Sequence, residues 1–175
     1  MTKTLLLSCC APCSCGVIAE LAEKKENVTV LFYNPNIYPK EEYERRLMEN
    51  KRVCETYGIP FVTLPYERTA WEECVQDKPF KERGPRCSTC FRFRLARAAR
   101  YAKENGFDKF TSVLGISRYK DLNQVNEQAE LVSAEEGIPY DFTNWRKGGL
   151  QEKTTELAKQ LNLYRQDYCG CTPRK

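Results

Sequence analysis

The sequence contains no histidine at any of its 175 positions. That absence removes the most common zinc ligand, the usual general base near neutral pH, and every Ser-His-Asp or Cys-His nucleophile system. Chemistry on this chain has to draw on Cys, Asp, Glu, Lys, Arg or Tyr. Long apolar runs are missing too, and none approaches the roughly eighteen residues that span a bilayer. Lys3 is followed only by Leu5, Leu6 and Leu7 before the first cysteines, so the basic-then-apolar pattern of a secretion signal is lacking. These absences lead to the expectation of a cytoplasmic protein without membrane contact. The net charge of +4 is modest and by itself points to no nucleic-acid partner.

Cysteine is the residue in excess, with 10 in the chain. In reducing cytosol, cysteines at short spacings are more often metal ligands or redox groups than structural bridges. Cys9, Cys10, Cys13 and Cys15 are crowded into one short stretch, Cys87 and Cys90 form a C-x-x-C, and Cys169 and Cys171 form a C-x-C. Cys54 and Cys74 stand alone and receive no role.

Apolar periodicity places these groups on an alternating framework. Lys3 to Ser8 reads as a short buried strand, and Val17, Ile18 and Leu21 give a helix from Gly16 to Lys25. Asn27 to Tyr33 is a second strand, followed by turn residues and a charged helix from Pro39 to Tyr57 that Gly58 closes. Pro60 to Leu64, Phe110 to Leu114 and Pro139 to Phe142 supply three more strands. Helices are expected over Ser88 to Asn105, Asp121 to Glu136 and Gln151 to Leu161. Strands alternating with helices imply an α/β protein with a parallel sheet covered on both faces. One domain over 1–175 is expected, with a C-terminal segment 164–175 that carries the C-x-C.

In such sheets ligands bind beyond the carboxyl ends of the strands, where Cys9 and Cys10 fall. At the strand exit a turn can bring both thiols to one centre. Cys87 and Cys90, three residues apart at a helix start, share a face, and the helix N-terminus with Arg86 and Arg92 favours thiolates. Four thiolates from two segments suit a tetrahedral zinc or a 4Fe-4S cluster. Adjacent cysteines chelate one small ion only with strain, whereas a larger cluster accepts them at different corners, so spacing favours the cluster. Cys13 and Cys15 are expected to pack in the first turn of the helix.

A disulfide between Cys169 and Cys171 would close a small, strained, easily reduced ring. That pair is therefore a candidate electron store or a source of ligands to a second metal. Tyr164 and Tyr168 favour docking of the tail. Two loops beyond the strands, Tyr33 to Tyr38 and Gly115 to Asp121, are candidates for handling substrate. Arg83, Arg86, Arg92, Arg94, Arg97 and Arg100 surround the C-x-x-C, and Arg146, Lys147, Lys153, Arg165, Arg174 and Lys175 enrich the C-terminal stretch. Spacing alone leaves open whether they grip phosphates or coat solvated faces.

LLLSCCAPCS, YNPNIYP, RCSTCFRFRL, SRYKD and LYRQDYCGC together resemble the cobalamin-independent epoxyqueuosine reductases, the QueH family. Ser8 stands where that family often has a histidine, and Asn144-Trp145-Arg146 replaces its more familiar Asp-Phe-Arg. The resemblance implies a Rossmann-like fold of the adenine nucleotide alpha hydrolase (HUP) type with about five strands. It implies reduction of epoxyqueuosine to queuosine at the wobble position of tRNA, fed by an external electron donor. Cys9, Cys10, Cys87 and Cys90 match the family's 4Fe-4S ligands, and Cys169 with Cys171 its redox pair. A second adjacent iron, held partly by Cys169 and Cys171, is an alternative use of that pair, and neither cobalamin nor flavin is expected. Lys120, Tyr119 or Asp121 is expected to assist protonation, and Tyr38 or Trp145 to carry unstacked bases. The rival readings are an ATP-dependent tRNA thiolation enzyme of the same fold and a zinc-stabilised RNA-binding module. The first needs a Gly-rich phosphate loop, which Ser-Cys-Cys-Ala-Pro-Cys is not.

Overall fold

The computed structural model describes residues 1–117 and 119–171. Arg118, in the loop after the fourth expected strand, and Arg174 and Lys175 of the basic C-terminal stretch lie outside the described residues. The chain runs β1 (Lys3–Ser8), α1 (Ala11–Glu23), β2 (Asn27–Phe32), α2 (Lys40–Tyr57), β3 (Phe61–Thr63) and α3 (Arg68–Val75). It continues through α4 (Pro85–Glu104), β4 (Lys109–Ser112), α5 (Leu122–Glu136) and α6 (Leu150–Gln160).

The four strands form one parallel sheet in the order β3-β2-β1-β4. β1 lies inside, between β2 and β4, which is why Leu5, Leu6 and Leu7 form an unbroken apolar run with 0% exposure. Each such side chain contributes about 1.5–3 kcal/mol by leaving water. The fifth expected strand is reduced to a single parallel bridge between Phe110 and Tyr140, beside β4. Pro139 has no N–H to extend the ladder, and the Asp141 carboxylate turns to Lys109 at 2.8 Å and to Thr143. This is the α/β, Rossmann-like architecture that the alternation implies.

α1 starts at Ala11, not Gly16, because Pro12 suits a first helical turn, and the cysteine-bearing turn is thereby wound into the helix. α1 packs on α2 and α6, and α4 packs on α5. At Gly16 a Cβ would meet Thr154 Oγ1 at 2.0 Å, so the α1–α6 contact requires glycine there. α3 was not expected; its apolar signal is only Trp71 and Val75, one turn apart. From β1 the chain steps outward to β2 and β3, then returns to set β4 on the other side of β1. The crevice at that reversal, beyond the carboxyl ends of β1 and β4, receives the residues described next. Among the described residues no helix is long and apolar enough to cross a membrane.

Candidate metal centre

Ser8 ends β1 facing inward, where its hydroxyl donates to Asn50 Oδ1. Cys9 then leaves the strand, and Cys10, with extended backbone (φ −157°, ψ 151°), caps α1. Cys13 follows one turn later, and the sulfurs of Cys9, Cys10 and Cys13 all lie within 4.8 Å of one another. Packing, expected for both Cys13 and Cys15, describes Cys15, which is fully buried with Sγ 3.4 Å from the Thr154 carbonyl. Cys13 turns instead to the pair before it, because i and i+3 from the helix cap share a face.

Cys87 and Cys90 sit in the first turns of α4. With Cys9, Cys10, Cys13, Cys169 and Cys171 they line one cavity of about 490 Å³. Seven of the ten cysteines thus converge, from segments far apart in the chain. Cys54 is buried in the core and Cys74 is half-buried elsewhere.

Two cations reach these sulfurs. Arg94, 1% exposed, donates to Asn34 Oδ1 and places Nη1 3.9 Å from Cys90 Sγ. Asn34 in turn donates to the Ser8 carbonyl at 2.9 Å, which ties α4 to the end of β1. Lys120 sets Nζ 3.8 Å from Cys9 Sγ. Contacts with Cys10 and Cys13 hold the Cys9 thiol well below the usual range, with Lys120 and Arg94 adding to the effect. Burial alone would lower the Lys120 ammonium, but the Cys9 and Cys169 sulfurs hold it above its ordinary value. Burial pushes the Cys87 and Cys90 thiols up.

The tail docks beside this group through a residue that sequence reasoning passed over. Arg46, 3% exposed on α2, donates to the Cys169 carbonyl at 2.6 Å and the Tyr168 carbonyl at 3.1 Å. Its Nε meets Glu42 at 2.8 Å, and the Tyr164 hydroxyl donates to the same carboxylate at 2.9 Å. Tyr38 N–H donates to the Gly170 carbonyl at 2.8 Å. Gly170 adopts φ +109°, and a Cβ there would stand 3.1 Å from Arg46 Nη1 and 3.2 Å from Ile37 Cγ1. Within the pair, Cys171 holds the Cys169 thiol well below its usual range, and Cys169 pushes Cys171 up.

The loop after β4 carries Tyr119, Lys120 and Asp121. Tyr119 is 71% exposed at the cavity rim, as is Phe80 at 49%. Asp121 caps α5, accepting from the Asn123 and Gln124 backbone N–H groups at 2.9 and 3.4 Å, and does not line the cavity. Arg146 is not a phosphate-facing surface residue. It donates to the carbonyls of Gly115, Ser117 and Lys120 at 2.6, 2.8 and 2.8 Å, pinning the loop that presents Lys120. Trp145 is half-buried, gives its N–H to the Ser112 carbonyl at 3.1 Å, and does not line the cavity. The arginines of α4 divide similarly. Arg86 and Arg94 line the cavity, while Arg92, Arg97 and Arg100 pair with Glu135, Glu67 and Glu136.

Unsatisfied polar atoms concentrate here as well. Among the described residues, seven buried side-chain atoms have no partner, and those of Asn36, Trp71, Arg86, Arg94, Gln124 and Gln166 belong to residues lining this cavity. A buried unpaired polar group costs about 1–3 kcal/mol, so such a concentration marks a site shaped for a polar or charged occupant.

The family described as Epoxyqueuosine reductase QueH matches residues 4–173. A protein of that name from Histophilus somni is 46% identical over 173 residues, covering 97% of this chain and 70% of its own length. Its namesake from Haemophilus influenzae is 43% identical over 172 residues, covering 97% and 70%. One from Thermotoga maritima is 33% identical over 175 residues, covering 98% and 89%.

Proposed function

The chain belongs to the epoxyqueuosine reductase QueH family, and from that premise we propose that it reduces epoxyqueuosine to queuosine at the wobble position of tRNA. The observation that carries this reading is the convergence of seven cysteines, buried Arg94, half-buried Lys120 and six unpaired buried polar atoms on one cavity. Replacing an epoxide by an alkene consumes two electrons and two protons and releases water.

The donor set fits a soft, multinuclear group. A trio of sulfurs within 4.8 Å of one another, joined in the lining of one cavity by Cys87 and Cys90, offers more soft ligands than one ion needs. Cys9, Cys10, Cys87 and Cys90 would hold a 4Fe-4S cluster, which when bound supplies electrons one at a time. Lys120 and Arg94 together offset the negative charge that four thiolates bring into a buried site. Cys13 stands close enough to Cys9 and Cys10 to join them.

The chain's own residues supply the rest. Cys169 and Cys171 can release two electrons by closing to a disulfide, matching the count the deoxygenation needs. Binding a second iron is the other use of the same pair, and one iron per chain beyond the cluster's complement would mark it. Lys120, held protonated at the cavity, donates a hydrogen bond to an oxygen placed there and stabilises its developing charge. Asp121 keeps its cap, so proton delivery falls to Lys120 or Tyr119. Arg83 and Arg86 at the rim attract the RNA backbone, and exposed Phe80 and Tyr119 offer faces for an unstacked base.

The test is anaerobic turnover of tRNA carrying epoxyqueuosine with dithionite as reductant, alongside iron analysis. Cys87→Ser should abolish the visible absorption of the centre and turnover together. Retained turnover, or ATP consumption coupled to product, would refute the reading.

A further inference from the structure

Trp71 is fully buried on α3, yet it does not join the main core. With Val75, Cys90 and Cys171 it forms a separate small apolar cluster between α3, the start of α4 and the docked tail. Guanidinium groups cover its ring: Arg68 Cζ lies 4.7 Å and Arg86 Cζ 5.3 Å from the centroid. Arg68 is itself fixed, donating to the Asn36 carbonyl at 2.6 Å, so the indole is held rigidly against the cavity wall. Its N–H is buried and has no partner at hydrogen-bonding geometry. A buried donor left unpaired costs about 1–3 kcal/mol, and an apolar Phe would fill the same space without that cost.

The acceptor within reach is sulfur. Cys90 and Cys171 are the sulfur-bearing members of that cluster, and Cys90, at the start of α4, shares the α3–α4 contact with the indole. Cys87, one turn earlier on the same helix, stands outside that cluster, with its sulfur 3.9 Å from the Lys81 carbonyl. The two cysteines of the C-x-x-C thus have different neighbours.

We propose that Trp71 is a positioning residue that donates its N–H to the Cys90 sulfur when that sulfur is a metal-bound thiolate, raising the reduction potential of the centre. The inference rests on reading Cys90 as a ligand. Reduction adds negative charge to the ligand sulfurs, so a donor aimed at one of them binds the reduced state more strongly than the oxidised state. The two guanidiniums on the ring faces withdraw density from the indole and make its N–H a better donor. Cys90 and Cys171 touch the same cluster, so the residue that tunes the metal ligand also packs against the tail pair.

The test is a redox titration of anaerobically loaded Trp71→Phe, followed by absorption and electron paramagnetic resonance. Phe keeps the ring and removes only the donor, so iron per chain should stay at the wild-type value. The reduced state should be disfavoured about tenfold, a shift of 59 mV to more negative potential for one electron. Val75→Ala loosens the same packing without touching the N–H and should leave the potential in place. A loaded Trp71→Phe protein with an unmoved potential, or an equal shift in Val75→Ala, overturns the proposal. If Trp71→Phe fails to load, pulsed resonance on reduced wild-type protein carrying 15N-labelled tryptophan decides it. An indole nitrogen coupled to the centre supports the bond, and no coupling overturns it. Wild-type protein that binds no iron would instead overturn the functional reading beneath.

Discussion

Replacing Arg46 by methionine should undock the C-terminal tail while the sheet stays folded. Methionine has similar length and apolar volume, so the substitution removes donors and charge more than it removes packing. Lost are the bonds to the Cys169 and Tyr168 carbonyls, 2.6 and 3.1 Å long, and the 2.8 Å ion pair with Glu42. A hydrogen bond from a charged group is worth about 1.5–3 kcal/mol, and breaking a buried pair about 3–5 kcal/mol. Glu42 keeps the Tyr164 hydroxyl, and the two freed carbonyls regain water when the tail lifts. The docking equilibrium should therefore lose about 3 kcal/mol, the low end of that range, which is roughly a 150-fold increase in local opening. Native-state hydrogen exchange reads this directly, because the Tyr38 amide is protected by the Gly170 carbonyl across the dock. Its exchange should accelerate by about two orders of magnitude, while amides of β1, which report global unfolding, change far less. Unchanged protection at Tyr38 would refute the claim that Arg46 holds the tail. Equal acceleration at Tyr38 and β1 would refute the claim that the dock opens on its own.

Cys13→Ala should lower the iron retained per chain on desalting, whereas Cys15→Ala should leave it unchanged and cost only the core packing beside Thr154, because only Cys13 shares the sulfur trio. Brief iodoacetamide treatment of the metal-free, reduced chain at pH 7, read by mass spectrometry, should mark Cys169 first. It is exposed and its thiol lies well below the usual range, while burial raises Cys87 and Cys90. Preferential labelling of Cys87 would contradict that assignment.

The parallel sheet was legible because β1 and β2 are buried on both faces and therefore read as unbroken apolar runs. The cysteine groups were legible because, on the expectation of a reducing compartment, short Cys spacings have few other uses. What escaped sequence reading is polar and buried. Arg46 and Asn50 occupy the inward stripe of α2 together with Tyr43, Val53 and Cys54. A helix whose buried face includes an arginine and an asparagine looks, by periodicity alone, like a solvated one. The reason for that stripe is the tail's carbonyls, more than a hundred residues away in the chain, and no local pattern announces them. Arg94 was lost among its neighbours for the same reason: the five arginines of α4 look alike until Asn34 and Cys90 select one. The Glu42–Arg46 spacing of four was the one available hint, and such pairs are usually surface features.

Because the proposed ligands come from the end of β1, the start of α4 and the tail, the fold must hold before a metal can bind them all. The buried strands supply that hold without any cysteine in them: Leu5, Leu6, Leu7, Val30 and Leu31 are each 0% exposed. This separates the protein from small zinc domains, whose cores are too small to fold without metal. Iron removal by an anaerobic chelator should therefore leave the far-UV circular dichroism intact. Binding to the native state alone adds RT ln(1 + [L]/Kd), about 2.7 kcal/mol at a hundredfold excess over Kd. At about 2–4 °C per kcal/mol for a chain of this size, the metal-free protein should melt roughly 5–10 °C lower. The loss should concentrate where the three segments meet, with the tail and α3 gaining proteolytic sensitivity before the sheet does. A metal-free chain without native circular dichroism would show that the sheet cannot stand alone. A melting point independent of iron would show that the cavity does not bind it in the native state.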